Sequence, residues 1–431
     1  MRDLKPVALE GLKSLVGEGA DKAQVTLNLT EKHEMNVDQG EFSLLRTTFD
    51  TWCNLTAIKD GRKGSSLINK SDSESVGRAA NEALAIARAS RPDDANDVAE
   101  FQPAAQFSKG ADSPDLDRMH YRLRELLTEV ATKYPKAILR QVILDFSHTT
   151  SYVVNSNGVD YVARQGVYHF MTMFSSRDGD RVSSFNYTGF SMADLEKRLL
   201  ECGSLDTLLK QSAEQIVTSP LQGKFVGDVI VTPDCIETIL GFLTDSITDR
   251  PIISGTSIYK DSVGQIVTTP LLTLHSKPVS DEIREGYFVT PDGYAAKNST
   301  LVEKGVLKGL LLSLYGSKKT GKPRAVNAGG AFVVDPGTTR YEEMVRSVKM
   351  GLLMTRFSGG QPSENGDFSG IAKNSYLIED GEIKYPVSET MISGNIAEML
   401  RSITAVSRER IDFGMAIMPW ISMPGVTVSG K

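Results

Sequence analysis

Residues 356–400 decide the fold and read RFSGGQPSENGDFSGIAKNSYLIEDGEIKYPVSETMISGNIAEML. The stretch is dense in Gly, Asn, Asp and Ser, which form turns, yet Phe357, Phe368 and Tyr376 recur between them. A helix would lose about 1 kcal/mol for each interior glycine. A flexible linker would not carry these aromatic side chains. The pattern therefore predicts tightly turned β structure in which the backbone geometry is specified.

The residues before this stretch predict a strand followed by a helix. Residues 227–247 read GDVIVTPDCIETILGFLTDSI, and Thr232-Pro233 is a typical helix start. Four apolar residues then share one helical face, namely Ile236, Ile239, Leu240 and Leu243. Most of the remaining chain after residue 222 reads as strands broken by Gly, Pro and Asn. We therefore predict a β-rich C-terminal domain over residues 222–431.

The first 217 residues alternate between strand and helix patterns. Residues 5–16 predict a helix, and residues 25–69 predict strands joined at Asp60-Gly61, which favours a hairpin turn. A helix follows from about residue 74 to residue 89, with Ser73 as its N-cap. Residues 91–113 are rich in Asp, Ala and Pro and read either as a linker or as a surface loop within one domain.

The pattern then repeats. Ser113-Pro114 opens a predicted helix, residues 138–189 predict strands, and a capping box from Ser191 to Asp194 predicts another helix. Seven residues recur 118 positions later: Gly40, Arg46, Asp60, Gly61, Ser65, Ser66 and Ser73 become Gly158, Arg164, Asp178, Gly179, Ser183, Ser184 and Ser191. The constant offset predicts two related sheet-plus-helix modules, at residues 25–89 and 138–215, within an N-terminal α+β domain over residues 1–217. The alternative is coincidence between turns that use the same few residue types.

Several of these segments resemble one known family. Residues 227–247 and 356–400, together with KDGRKGSS at 59–66 and ALAIARAS at 83–90, resemble the TldD/PmbA family, which is also named for modulation of DNA gyrase. The resemblance covers nearly the whole chain and implies an α+β fold. Its catalytic members are metalloproteases that act on unfolded peptides.

The zinc-binding motif of the catalytic branch is missing here. That branch carries His-Glu-x-x-x-His on a helix, where two His bind zinc and the Glu acts as a general base. The resemblance places Gly241, Phe242 and Ser246 at those positions, and none of them is a useful zinc ligand. The catalytic branch also has a Cys near the C-terminus, whereas residues 412–431 contain none. The chain is therefore similar to the metal-free PmbA/TldE branch, with no catalytic or metal-binding residue of its own.

The Gly-rich stretch also contains candidates for peptide binding. Five residues could place backbone groups against an extended peptide by β-augmentation: Asp367, Phe368, Ser369, Gly394 and Asn395. The alternative is that they only shape turns, since Gly and Asn mostly serve backbone geometry.

Composition limits the class of protein. A chain of 431 residues exceeds the roughly 250–300 at which single cores stop growing, so we expect two or more domains. The net charge of −6 argues against a nucleic-acid partner. The widely spaced cysteines Cys53, Cys202 and Cys235 are typical of buried thiols in a reducing compartment. With no signal-peptide or membrane-span pattern, we expect a cytoplasmic protein that does not contact membranes.

Three functions follow from the resemblance. The first is a metal-free subunit that pairs with a TldD-like metalloprotease, which would supply the zinc, and takes extended peptides as substrate. The second is a standalone homodimeric protein that binds peptides or acts as a scaffold. The third is an active metallopeptidase with atypical ligands.

Overall fold

The computed structural model describes residues 3–388 and 390–430. Two sheets, one of eight strands and one of fourteen, carry helices on their faces. The predicted α+β class is confirmed, with an antiparallel sheet plus helices in the first half and a β-rich second half.

The first sheet has the strand order β3-β2-β1-β5-β6-β4, with β7 and β8 also paired to β6. Its long strands β1, β2, β5 and β6 are antiparallel, and the short β4 joins β6 in parallel. The elements of this half are α1 (Lys5–Gly17), β1 (Lys22–Asp38), β2 (Glu41–Lys59), β3 (Arg62–Ile68), α2 (Ser73–Ala89), β4 (Ala105–Lys109), α3 (Leu116–Lys133), β5 (Ala137–Asn155), β6 (Asp160–Asp178), β7 (Arg181–Val182), β8 (Asn186–Met192) and α4 (Leu205–Glu214).

The second sheet contains the remaining strands and surrounds the central strand β22. Its elements are β9 (Ser219–Pro220), β10 (Lys224–Val231), α5 (Pro233–Ser246), α6 (Asp249–Ser254), β11 (Leu274–Ser276), β12 (Ser299–Glu303), β13 (Val306–Leu307), α7 (Leu314–Thr320), β14 (Phe332–Val334), α8 (Tyr341–Ser347), β15 (Met350–Met354), β16 (Arg356–Gly359), β17 (Asp367–Lys373), β18 (Tyr376–Glu379), β19 (Glu382–Ser388), β20 (Thr390–Asn395), α9 (Ile396–Arg401), β21 (Ala405–Asp412) and β22 (Ile417–Ser429). Strands β16, β17 and β20 form a branch that joins β22 through β20.

The two halves of the first sheet share an element order. Each half has a helix, two long strands, short strand structure and a second helix, but the first half has one short strand, β3, and the second has two, β7 and β8. Strand β1 pairs antiparallel with β5 at the middle of the sheet. The hairpin turns differ by one residue. Asp60-Gly61 joins the paired residues Lys59 and Arg62, whereas Gly179-Asp180 joins Asp178 and Arg181. The duplication itself, with modules at 25–89 and 138–215, stays a prediction.

For the first half, one prediction is wrong and one of the two alternatives for residues 91–113 is excluded. The capping box at Ser191 does not open a helix, because Ser191 lies in β8 and the next α-helix begins at Leu205. Contacts with the second half outweigh the local pattern: the Ser191 N–H donates to the Phe413 carbonyl and its hydroxyl donates to Glu285. Residues 91–113 are not a linker, because β4 pairs in parallel with β6 and Ala99 is buried.

Helix starts are displaced by one or two residues from the predicted ones. Asp72, rather than Ser73, accepts a hydrogen bond from the Ser75 N–H and caps α2. Asp115 caps α3 in the same way. In both helices the N-cap is an Asp carboxylate and not the predicted Ser hydroxyl. A carboxylate at this position also interacts favourably with the helix dipole.

The largest hydrophobic core joins the two halves of the molecule. It runs from α3, β5 and β6 into α5, α9 and β22 without interruption. A smaller core lies under α1 and α2. No helix in the described part of the chain is long and apolar enough to cross a membrane.

Candidate peptide-binding groove

Helix α5 presents two chemically different faces. Its apolar residues, Ile236, Ile239, Leu240 and Leu243, are buried toward β22. Its other face carries Glu237, Gly241 and Asp245, spaced four residues apart, and a side chain added at Gly241 would meet open space. A groove of about 990 Å³ lies over this face. The sequence folds this way because Thr232-Pro233 starts the helix and the apolar period of 3.6 fixes which face is buried.

The opposite wall of the groove is formed by β16 and the residues up to Glu364. Within the described residues, β16 pairs only with β17, so one of its edges carries no strand partner. A strand edge of this kind presents unpaired N–H and C=O groups.

The glycines of this wall make room for one aromatic ring. A Cβ at Gly359 or Gly370 would lie 2.5 Å from the Phe357 ring, which is too close for any side chain. Phe357 in turn packs edge-on against Phe368, with ring centroids 5.6 Å apart. The glycine density that marks this stretch in the sequence therefore has a packing cause.

The three positions that we predict from the sequence to replace the family's zinc ligands come together in this groove. Gly241, Phe242 and Ser246 all line it. Gly241 offers no donor atom. The Phe242 ring packs near Gly366 and Tyr259, and the Ser246 hydroxyl donates to the Phe242 carbonyl at 2.6 Å.

These residues do not fit a zinc ion. A hydrolytic zinc site needs three protein ligands of N, S or O type. Across residues 3–388 and 390–430, no group of three or more His, Cys, Asp or Glu side chains is arranged to hold a metal.

The predicted peptide-binding residues lie beside the groove and shape its wall. Asp367 pairs with Asn395 and Phe368 with Gly394 across β17 and β20. The Asn395 amide donates to Asp367 Oδ1 at 2.9 Å, and its oxygen accepts the Glu398 N–H and so caps α9. Ser369 lies in the same strand. Strand β20 pairs with Asp367, Phe368 and Ser369, whereas β16 pairs only with Gly370 to Lys373. The binding of a peptide by these residues stays a prediction.

The residues that sequence reasoning missed are the charged ones. Glu237, Asp245 and Glu364 line the groove, and none has an ion-pair partner among the described residues. Arg250 lines the far end. The Glu237 side chain reaches solvent, but the groove walls desolvate its carboxylate and raise its pKa. The spacing of Glu237, Gly241 and Asp245 could have revealed this face, although in sequence it looks like any solvated helix face.

A second set of charges lies between the two halves of the molecule, and we call it the interdomain ion cluster: Lys32, Glu34, Asp145, His169 and Glu285. His169 Nδ1 lies 3.0 Å from Asp145 Oδ1, and its Nε2 lies 3.3 Å from Glu285 Oε2. Lys32 Nζ lies 3.1 Å from Asp145 and 3.2 Å from Glu34. Burial lowers the pKa of His169, but hydrogen bonds and charges from Asp145 and Glu285 outweigh it and raise the pKa to about 9.

Comparison with known proteins identifies relatives over the whole chain. The model of the PmbA/TldA metallopeptidase C-terminal domain matches residues 223–430, and that of PmbA/TldA metallopeptidase domain 1 matches residues 23–87. Metalloprotease PmbA of Escherichia coli O157:H7 is 24% identical, covering 98% of this chain and 97% of that protein. A metalloprotease of Methanothermobacter thermautotrophicus is 25% identical, covering 73% and 76%. The crystal structure of TldE from Thermococcus kodakarensis superposes with a TM-score of 0.81 at 20% identity, covering 98% and 100%, and shows the same fold.

Proposed function

The chain belongs to the PmbA/TldD family, and from this membership we propose that it is the metal-free subunit of a cytoplasmic TldD-type metalloprotease complex that acts on unfolded peptides. The metalloprotease relatives support a role in proteolysis. One observation supports the finer proposal: the groove beside α5 is open to a peptide, and Gly241, Phe242 and Ser246, which we predict to stand at the zinc-ligand positions of the catalytic branch, line it without forming a set of zinc ligands.

The groove suits an extended peptide. The free edge of β16 offers backbone N–H and C=O groups that a peptide main chain can pair with, as in β-augmentation. Side chains of a paired strand alternate in direction, so every second residue of the peptide would face α5. There it would meet Glu237 and Asp245, which have no counter-ion among the described residues. This chain would therefore hold and orient a peptide.

Cleavage would come from the other subunit. Zinc supplies a polarised water for peptide hydrolysis. Gly241, Phe242 and Ser246, at the predicted ligand positions of this chain, would not hold the metal or act as its general base. A TldD-like subunit with the complete motif would supply both. This chain would contribute part of the substrate-binding surface.

Blocking the groove tests the proposal. Gly241→Trp places an indole in the groove, whereas Gly77→Trp places one at a helical glycine of α2 that also has open space around it. We expect the wild-type protein to bind an unfolded fluorescent peptide and to hold no stoichiometric zinc by metal analysis. Gly241→Trp should weaken peptide binding at least about tenfold, while Gly77→Trp should not.

Activity of the mixed complex separates the two leading functions. With a TldD-like metalloprotease added, the wild-type chain should support peptide cleavage and Gly241→Trp should not. Peptide binding without any stimulation of cleavage would favour the standalone peptide-binding protein. One zinc per purified chain, lost when particular His residues are replaced, would overturn the metal-free assignment.

A further inference from the structure

A second cavity adjoins the groove at its Arg250 end. It has a volume of about 650 Å³ and lies between strands β1 to β3 of the first sheet and the loops around α6 and α7. Thr248 and Arg250 line both the groove and this cavity, so a ligand in the groove can extend into it. We call it the Arg250 cavity.

The carboxylates of the Arg250 cavity already have partners within the protein. Three of them line it, namely Asp97, Asp249 and Asp292. The first forms ion pairs with Lys22 and Lys318. The second accepts hydrogen bonds from the N–H and the hydroxyl of Ser313, and the third accepts one from the Leu314 N–H at 2.8 Å. None of these carboxylates is therefore bound by Arg250.

Two cationic side chains of the Arg250 cavity have no such partner. Lys63 of β3 and Arg250 of α6 are exposed, and among the described residues their side chains have neither an ion pair nor a hydrogen bond. The third cation, Arg324, is held over the Tyr294 ring, 3.5 Å from its centroid. A free guanidinium is a planar fork of N–H donors that fits a carboxylate in two parallel hydrogen bonds.

The groove and the Arg250 cavity offer a ligand opposite charges. Glu237 and Asp245 face the groove and lie eight residues apart on α5, which is about 12 Å along the helix. About four residues of an extended peptide cover that distance at about 3.3 Å each. Because Arg250 follows the C-terminal end of α5, a peptide that runs from Glu237 past Asp245 reaches Arg250 with its next residues.

We propose that Arg250 binds the C-terminal carboxylate of a peptide that lies in the groove, with Lys63 as a second positive charge of the same cavity. The peptide then runs in the direction of α5, and its last residue enters the Arg250 cavity. The inference rests on the proposed function of the groove and adds a substrate class to it, namely peptides with a free C-terminus. Arg250 is the residue that determines this specificity.

Three peptides test the recognition of the terminal carboxylate. They share one sequence and end in a free carboxylate, in an amide, or in an amide with the last residue replaced by Glu. The free acid should bind the wild-type protein about tenfold more tightly than the amide, as for a hydrogen-bonded charged group. The amidated peptide ending in Glu should bind more weakly than the free acid, because ordering its side chain costs conformational entropy.

Variants assign this preference to Arg250. Arg250→Gln should bind the free acid about tenfold more weakly and the amide as the wild type does, so that the two dissociation constants become equal. Lys63→Gln should weaken binding of the free acid about threefold. Arg408→Gln, at an exposed arginine of β21 that lines neither space, is the control and should keep the full preference. Thermal unfolding of Arg250→Gln should match that of the wild type, because its side chain has no partner to lose among the described residues.

Several results would overturn the proposal. Equal binding of the free acid and the amide to the wild type would remove the carboxylate site and leave the groove intact as a peptide site. A preference for the free acid that survives in Arg250→Gln, or equal weakening of both peptides by that variant, would show that Arg250 does not bind the carboxylate. Equal binding of the free acid and the amide ending in Glu would mean that a side-chain carboxylate is recognised instead. If no peptide binds the wild type, the proposed function of the groove fails together with this inference.

Discussion

The groove and the interdomain ion cluster are both rich in ionisable side chains, but their charges are organised differently. In the cluster, Asp145 is almost fully buried and contacts both Lys32 and His169. In the groove, Glu237 and Asp245 face open space without a counter-ion among the described residues. The charges of the cluster contact one another, whereas those of the groove border an open volume of about 990 Å³.

This difference distinguishes charged residues that stabilise the folded state from charged residues that are available to bind a ligand. The pKa of His169 is strongly raised, which alone would suggest a functional residue. Its partners, Asp145 and Glu285, explain that shift completely and tie β5 and β6 to the second half of the chain. The pKa of Glu237 is raised by desolvation alone. A desolvated carboxylate without a partner, beside open space, is the better indicator of a binding site.

The largest effect is expected from breaking the cluster. Asp145→Asn leaves His169 and Lys32 without their shared carboxylate and should lower the free energy of unfolding by about 4 kcal/mol. Chemical denaturation measures this change. Asp178→Asn removes an exposed partner of Lys136 and is the control, with an expected loss below about 1 kcal/mol. Equal effects of the two variants would mean that the cluster does not hold the halves together.

The pH dependence of stability should show the same cluster. The pKa of His169 is about 9 in the folded protein against an ordinary value of 6.5, so its stabilising effect is fully present below pH 6.5 and is lost as the pH rises through 9. The difference in unfolding free energy between wild type and His169→Gln should therefore be about 3 kcal/mol near pH 6 and should vanish above pH 9. A difference that stays constant from pH 6 to pH 10 would contradict the assigned ion pairs.

The fold was more predictable from the sequence than the site. The apolar period of α5 and the turn residues of 356–400 are local signals, and both gave the right elements. The capping box at Ser191 failed because Glu285 and Phe413, distant in sequence, take its hydrogen bonds. The sequence also could not predict that one edge of β16 is unpaired, because this depends on the strand pairing of β17 and β20.

The wall of the groove should be more sensitive to shape than to charge. Gly370→Ala places a methyl group against the Phe357 ring and should cost about 2 kcal/mol of stability, because the ring has to move. It should also weaken peptide binding, since Phe357 lines the groove. Gly309→Ala, at a glycine with open space that does not line the groove, is the control and should change neither property. Thermal unfolding and peptide titration would both have to distinguish the two variants.

The smallest effect is expected from Glu237→Gln, and it addresses the groove's charge directly. The carboxylate should attract a Lys side chain of a bound peptide, so its removal should weaken binding of a Lys-containing peptide about threefold, as for a solvent-accessible ion pair. A peptide with norleucine in place of Lys should bind both proteins equally.

Because burial raises the pKa of Glu237, its charged form opposes folding at neutral pH, and the Gln variant should be no less stable than the wild type. Loss of stability would assign Glu237 to the fold, like the residues of the cluster. A threefold effect on both peptides would show that the residue acts through the shape of the groove and not through its charge.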